Sequence, residues 1–244
     1  MQKTVTVITS SIGRPELRRC IESVWTQSYP VKHFVYVNGP KYHESARAIL
    51  QDFPDIHAIY LPEETGDYNG SGYGCGDVFA AAPFFTNSDW VFFLNDDDFY
   101  DPGHVESVMD LVAANDLKWA YSLRRFVDIT GQPICDDDWC SLGHLTLPNM
   151  VPQIVDNSCF AVSRPLAEKY GRAWTAMPTI GDRCFFMALK DSGARSGCTG
   201  LSTVNYRAGT GTAPNDPALY LACAARMRSE MPGGFPWRKA QVFG

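Results

Sequence analysis

The chain has 244 residues, 21 basic and 27 acidic side chains for a net charge of -6, and 45% hydrophobic against 20% charged residues. This composition suits one globular chain with an ample core, and its acidic balance argues against a polyanion-binding surface and nucleic acid as main partner. No apolar run reaches bilayer length and Met1-Gln2-Lys3-Thr4 leads directly into a strand, so neither a transmembrane segment nor a signal peptide is expected, and the expected location is cytoplasmic.

Val5 to Thr9 is β-branched throughout and predicts a first strand, ending in the polar turn Ser10-Ser11-Ile12-Gly13-Arg14-Pro15. Leu17, Cys20, Ile21, Val24 and Trp25 then recur at helical spacing and predict a helix with one buried stripe. Phe34 to Val37 predicts the next strand, stopped by Asn38-Gly39-Pro40. Ala46, Ile49, Leu50 and Phe53 give a second amphipathic helix, and His57 to Leu61 a third strand. Alternating strands and helices with short turns imply a mostly parallel sheet, which sets Ser10, Asn38 and whatever ends the next strand along one edge. Five glycines between Glu63 and Asp77 (Gly66, Gly70, Gly72, Gly74 and Gly76) allow close backbone approach to a ligand. Without a Walker spacing or a lysine, a plain loop and a phosphate cradle are equally open readings.

A short helix over Val78 to Phe85 leads into Trp90-Val91-Phe92-Phe93-Leu94, a run that suits a strand buried on both faces. Asn95-Asp96-Asp97-Asp98 follows at once. Acidic runs are usually solvated loops. Here three carboxylates abut a buried strand at the edge where open α/β sheets bind ligands, and their mutual repulsion is relieved by a divalent cation or a charged ligand. Pro102 predicts the first turn of a helix carrying Val105, Val108, Met109 and Val112. Trp119 to Leu123 predicts a further strand, and Arg124 to Ile134 a hairpin turning at Thr130-Gly131.

Asp136-Asp137-Asp138-Trp139 opens a stretch to Pro152 that is expected to be mobile and solvent-facing, with folding over a substrate as the lesser option. The eight cysteines form no Cys-x-x-Cys pair, so reduced thiols rather than a zinc site are expected, and a bridge between Cys135 and Cys140 stays open. Asp182 stands at the start of a helix with Phe185, Phe186 and Leu189 as its buried stripe and Gly193 as its stop. By residue type alone an N-cap is the favoured role for this aspartate. Leu219 to Met231 predicts a last helix, followed by Pro232-Gly233-Gly234-Phe235-Pro236-Trp237.

Taken together, Val-Thr-Val-Ile-Thr-Ser with Arg14 to Tyr29, Phe93 to Asp98 with Pro102, and Ile180 to Phe186 resemble the family 2 glycosyltransferases of the GT-A fold, and within them the spore-coat polysaccharide branch. The resemblance runs from Thr4 to about Leu189. It implies an α/β, Rossmann-like, mostly parallel sheet flanked by helices, with a smaller mixed acceptor-binding half. The expected organisation is one domain over 1-244, with a nucleotide-sugar-binding half over 1-123 and an acceptor half and tail over 124-244.

It further implies an inverting enzyme that moves a sugar from a nucleotide diphosphate sugar, a UDP-sugar first, to a saccharide or a lipid-linked glycan, in the cytoplasm or peripheral to the inner membrane face. By the same resemblance Ser10 and Asn38 would lie against the base, Asp96 near the ribose and Arg14 by the diphosphate. Asp97, supported by Asp98, would hold Mn²⁺ or Mg²⁺, and Asp182 would be the general base. Asn38 stands where the family usually has Asp, Ile12 where an aromatic often stacks, and Val78-Phe79-Ala80 where Ala-Arg-Asn is usual. A nucleotidyltransferase and a non-catalytic sugar-nucleotide-binding protein are the alternatives. The first would need a basic glycine-rich loop after the first strand, and the second would have no use for both Asp97 and Asp182.

Overall fold

The structure is a computed structural model that describes residues 2-66, 74-147, 153-209 and 216-244. Strand β1 (Val5–Ser11) is buried at every position and lies between β2 (Val31–Val37) and β4 (Trp90–Asn95), parallel to both. β3 (His57–Tyr60) extends the parallel sheet beyond β2. The crossovers are α1 (Leu17–Trp25), α2 (His43–Leu50) and α3 (Cys75–Ala81), each with its apolar stripe turned to the sheet. Trp25 departs from the predicted stripe. It is 62% exposed, because α1 ends there and only the edge of Phe53, 5.8 Å away between ring centres, meets its indole.

β4 is apolar without alternation because both faces are covered. Phe93 packs on Phe79, Trp174 and Phe185, and Phe92 meets His104 on the opposite face. The short β5 (Phe99–Tyr100) follows, and then α4 (His104–Asn115), which starts two residues after Pro102. The delay has a local cause: the Asp101 carbonyl accepts from His104 N in a turn, while the Asp101 carboxylate is engaged by Arg125 and Asn205.

The second half mixes directions. β6 (Trp119–Val127) and β7 (Pro133–Asp136) form the predicted hairpin about Thr130-Gly131. β8 (Phe160–Ser163) inserts antiparallel between β4 and β6, and α5 (Arg164–Tyr170) and α6 (Gly181–Asp191) follow it. β9 (Ser196–Arg207) runs parallel to β6, α7 (Pro217–Glu230) packs beyond it, and β10 (Gln241–Phe243) closes the edge antiparallel to β9. The resulting order is β10-β9-β6-β8-β4-β1-β2-β3, a single sheet through both halves. Its parallel members β1, β2 and β4 end together, so Ser10-Ser11, Asn38 and Asn95 to Asp98 share one edge.

The second acidic run corrects the expectation of a solvent-facing loop. Asp137 is fully buried, accepting from Arg124 Nε at 2.8 Å and from the amides of Cys140 and Ser141. Asp138 accepts from Trp237 Nε1 at 2.7 Å and pairs with Arg238. Cations and an indole from β6 and the C-terminal segment make that burial tolerable, and such distant partners leave no mark on local composition. Cys135 and Cys140 are unbridged, and the thiol of Cys135 donates to the Tyr220 carbonyl. Residues 148-152 of that stretch, and Gly70 and Gly72 of the glycine-rich stretch, lie outside the described residues.

Candidate active site

The strand-to-turn transition at Asn95 sends the three following aspartates in different directions. Asp96, 4% exposed, turns to β1, where its Oδ2 accepts from Ser11 Oγ and from Ile12 N, both at 2.8 Å. Burial, then the charge of Asp97, pushes its carboxyl up to about 6. Asp97 is the least buried of the three and is ion-paired with Arg14, whose Nε also lies 3.9 Å from Asp96. Asp98 turns inward and accepts from Ser158 Oγ at 2.8 Å and from Arg207 N at 3.1 Å. Burial, then the neighbouring charges of Asp97 and Asp156, drives its pKa well above the carboxylate range. Ser10 sits in register with Asn95 on one side and Tyr36 on the other, at the mouth of the β1-β4 seam.

Among the described residues no three His, Cys, Asp or Glu side chains form a ready-made metal cage. The donor set still fits a hard divalent cation of the kind that takes one or two carboxylates and completes its shell with water and substrate phosphates. Asp97 is the carboxylate on the open side, and Asp98, with both oxygens engaged, braces the turn that presents it.

Asn38 follows β2 and is 2% exposed. Its Oδ1 accepts from Thr65 N and Thr65 Oγ1, each at 2.9 Å, and its Nδ2 donates to the carbonyls of Thr65 at 3.0 Å and Gly74 at 3.4 Å. The amide therefore ties together the two flanks of the glycine-rich stretch instead of presenting a free edge to a base. Gly74 is required at this joint, since a Cβ there would stand 2.3 Å from Asn38 Nδ2.

Asp182 lies in the first turn of α6 and does not cap it, because the helix begins at Gly181 with Ile180 in the cap position. Its Oδ1 accepts from Arg183 N at 2.7 Å. Burial, then the negative charge of Asp156, raises its carboxyl to about 7, the range in which a carboxylate can serve as a base near neutrality.

Beside the β4 edge stands Asp156-Asn157-Ser158, a segment absent from the sequence-based set, and the charge of Asp156 is felt at Asp182. Asn157 and Asn95 exchange amide hydrogen bonds at 2.9 and 3.1 Å, Ser158 holds Asp98, and Asp156 pairs with Arg124. One signal was available: three polar residues stand directly before the apolar run Cys159-Phe160-Ala161-Val162, mirroring the polar turn directly after Trp90 to Leu94. Arg124 and Arg207 carried no comparable mark.

The sequence profile of glycosyl transferase family 2 matches residues 6-133, more than half of the chain. An uncharacterized protein of Haemophilus influenzae is 42% identical over 65 residues, 27% of this chain and 43% of that protein. Among solved structures, S. aureus TarS 1-349 superposes with a TM-score of 0.63 at 13% identity, covering 84% of this chain and 60% of that one. The same protein in complex with UDP-GlcNAc superposes at 0.62 with 12% identity, covering 84% and 58%. The chain thus spans less than two thirds of the length of these relatives, and at such identity the structural likeness establishes the fold. The α/β sheet with its carboxylate-bearing edge is a GT-A fold, and the chain belongs to glycosyl transferase family 2.

Proposed function

We propose that the protein transfers a sugar from a nucleotide diphosphate sugar, a UDP-sugar by preference, to a hydroxyl of a saccharide or lipid-linked glycan, with inversion at the anomeric carbon. The observation that carries this reading is the placement of Asp182, a partly buried carboxyl at the start of α6, within the field of Asp156, whose neighbour Ser158 holds Asp98 on the aspartate edge of β4. Ser10 and the end of β1 border the nucleoside, and Asp96, held by Ser11 and Ile12, stands by the ribose. Asn38 supports the donor pocket from behind by joining Thr65 to Gly74. Asp97, braced by Asp98, would hold Mn²⁺ or Mg²⁺, which when bound offsets the charge that grows on the leaving diphosphate. Arg14 fixes the Asp97 carboxylate in place and adds a cation on the diphosphate side.

Asp182 takes the proton of the acceptor hydroxyl as that oxygen bonds to the anomeric carbon. The bond from that carbon to the diphosphate breaks on the opposite face, and the electron pair leaves with the diphosphate. One displacement inverts the configuration.

UDP-GlcNAc is the first donor to try, because a protein of the same fold has been crystallised with it. With Mn²⁺ and a panel of saccharide acceptors, Asp182→Asn is expected to bind donor as the wild type does and to release UDP slower by about 10²-10⁴-fold. Equal turnover by the variant would remove Asp182 from the chemistry.

A further inference from the structure

We infer that Arg207, the last residue of β9, is a positioning residue for the cation site: its guanidinium fixes the backbone from which Asp97 projects, a role that rests on the donor site proposed above. Parallel pairing of β9 with β6 sets Arg207 in register with Val127, where β6 ends. Two turns meet there. The Arg207 amide donates to Asp98 Oδ1 at 3.1 Å, its Nε donates to the Asp97 carbonyl at 2.9 Å, and its Nη1 donates to the carbonyl of Ile129 in the β6-β7 turn. At 5% exposure the side chain is held inside the protein rather than solvated.

The β6-β7 turn is a firm abutment. Asp128 Oδ1 accepts from the amides of Thr130 and Gln132, and Arg19 of α1 donates to the carbonyls of Thr130 at 2.8 Å and Gly131 at 3.4 Å. The guanidinium carbons of Arg19 and Arg207 lie 3.7 and 5.8 Å from the centre of the ring of Phe99, the residue after Asp98. Arg207 thus carries the rigidity of that turn to the peptide of Asp97, while Arg14 meets the Asp97 carboxylate. Groups that hold a metal ligand in place without touching the metal commonly contribute about 10-100-fold to metal affinity. A planar guanidinium serves two carbonyls at once, whereas a lysine ammonium keeps the charge and loses that fork.

The test is a titration of the full chain with Mn²⁺ at saturating UDP, reading free Mn²⁺ by electron paramagnetic resonance. Arg207→Lys and Arg207→Gln should each need about tenfold more Mn²⁺ than the wild type for half-saturation, and at saturating Mn²⁺ both should bind UDP as the wild type does. Should neither variant fold, Arg19→Gln on α1 releases the β6-β7 turn and should raise the Mn²⁺ requirement in the same direction; an unchanged requirement there would overturn the proposal. Wild-type Mn²⁺ binding by Arg207→Lys would overturn it by showing that charge suffices, and UDP binding that stays weak at saturating Mn²⁺ would do so by showing a loosened pocket. A wild type that retains no Mn²⁺ with UDP would contradict the donor site itself and this role with it, a failure distinct from one in which the wild type retains Mn²⁺ and the variants match it.

Discussion

Asp182 holds its proton to about pH 7 because the fold withdraws it from water and sets Asp156 nearby, which outweighs the Arg183 amide and the charge of Arg124 that favour the carboxylate. Two consequences follow with opposite signs. The proposed base Asp182 would work only when ionised, so turnover should climb tenfold per pH unit up to about pH 7 and then level, a limb that Asp182→Asn lacks. For stability, the folded pKa of about 7 lies above the ordinary 3.8, so this site favours folding most at low pH and loses that contribution as pH rises from about 4 through 7. Asp182→Asn should therefore melt higher than wild type at pH 8, by roughly 2-4 °C for each kcal/mol recovered, and converge with it only below about pH 4. A melting difference that grows toward acid would contradict this sign.

Asn38 gives a second residue-scale expectation. Asn38→Asp keeps shape and both acceptor bonds but loses the two donor bonds to Thr65 and Gly74, leaving a carboxylate against carbonyl oxygens. A loss of about 1-3 kcal/mol in urea unfolding is expected, with weaker donor binding. Both residues were visible in the sequence by position, yet their tasks were not. The cap role favoured for Asp182 failed because the chain enters α6 at Gly181, with the cap at Ile180, two residues before Asp182, and Asn38 acquired its partners from Thr65 and Gly74, which sequence proximity does not pair.

At the scale of elements, α3 and α6 both approach the backbone of Trp174. A Cβ on Gly181 would stand 2.3 Å from the Trp174 carbonyl oxygen, and one on Gly76, at the start of α3, 2.8 Å from the same atom. Without side chains at both positions, α6 can place Asp182 beside α3. Gly181→Ala must shift the first turn of α6, so a loss of about 1-3 kcal/mol in stability with a larger fall in turnover than in donor binding is expected by denaturation and initial rates. The strand-helix alternation of the first half was legible because each unit is local: β-branched strands, a helical stripe and a turn of small residues. The aspartate edge was legible for the same reason, since a buried strand ending in carboxylates constrains where they lie. The insertion of β8 between β4 and β6 was not, because antiparallel and parallel partners of a short apolar run look alike along the chain.

Across the whole molecule, buried charge is balanced over long distances. Arg124 on β6, 8% exposed, pairs with both Asp137 and Asp156, and Arg238 with Trp237 secures Asp138 from the other end of the chain. Arg124→Leu would strand two buried carboxylates, and a cost of about 3-5 kcal/mol at pH 7 is expected in denaturant unfolding, shrinking as the medium is acidified toward their protonation. The sheet continuing through β6 makes this balance a property of one unit. No helix among the described residues is long and apolar enough to cross a membrane.

The central claim, a metal-assisted nucleotide-sugar site on the Asp96 to Asp98 edge, is tested most directly by thermal shift with nucleotide diphosphates and their sugars, each with Mn²⁺, with Mg²⁺ and with chelator. The account predicts a rise in melting temperature with one nucleotide class that depends on the cation and vanishes in Asp97→Asn. No rise with any nucleotide, or an equal rise in chelator and in Asp97→Asn, would contradict it.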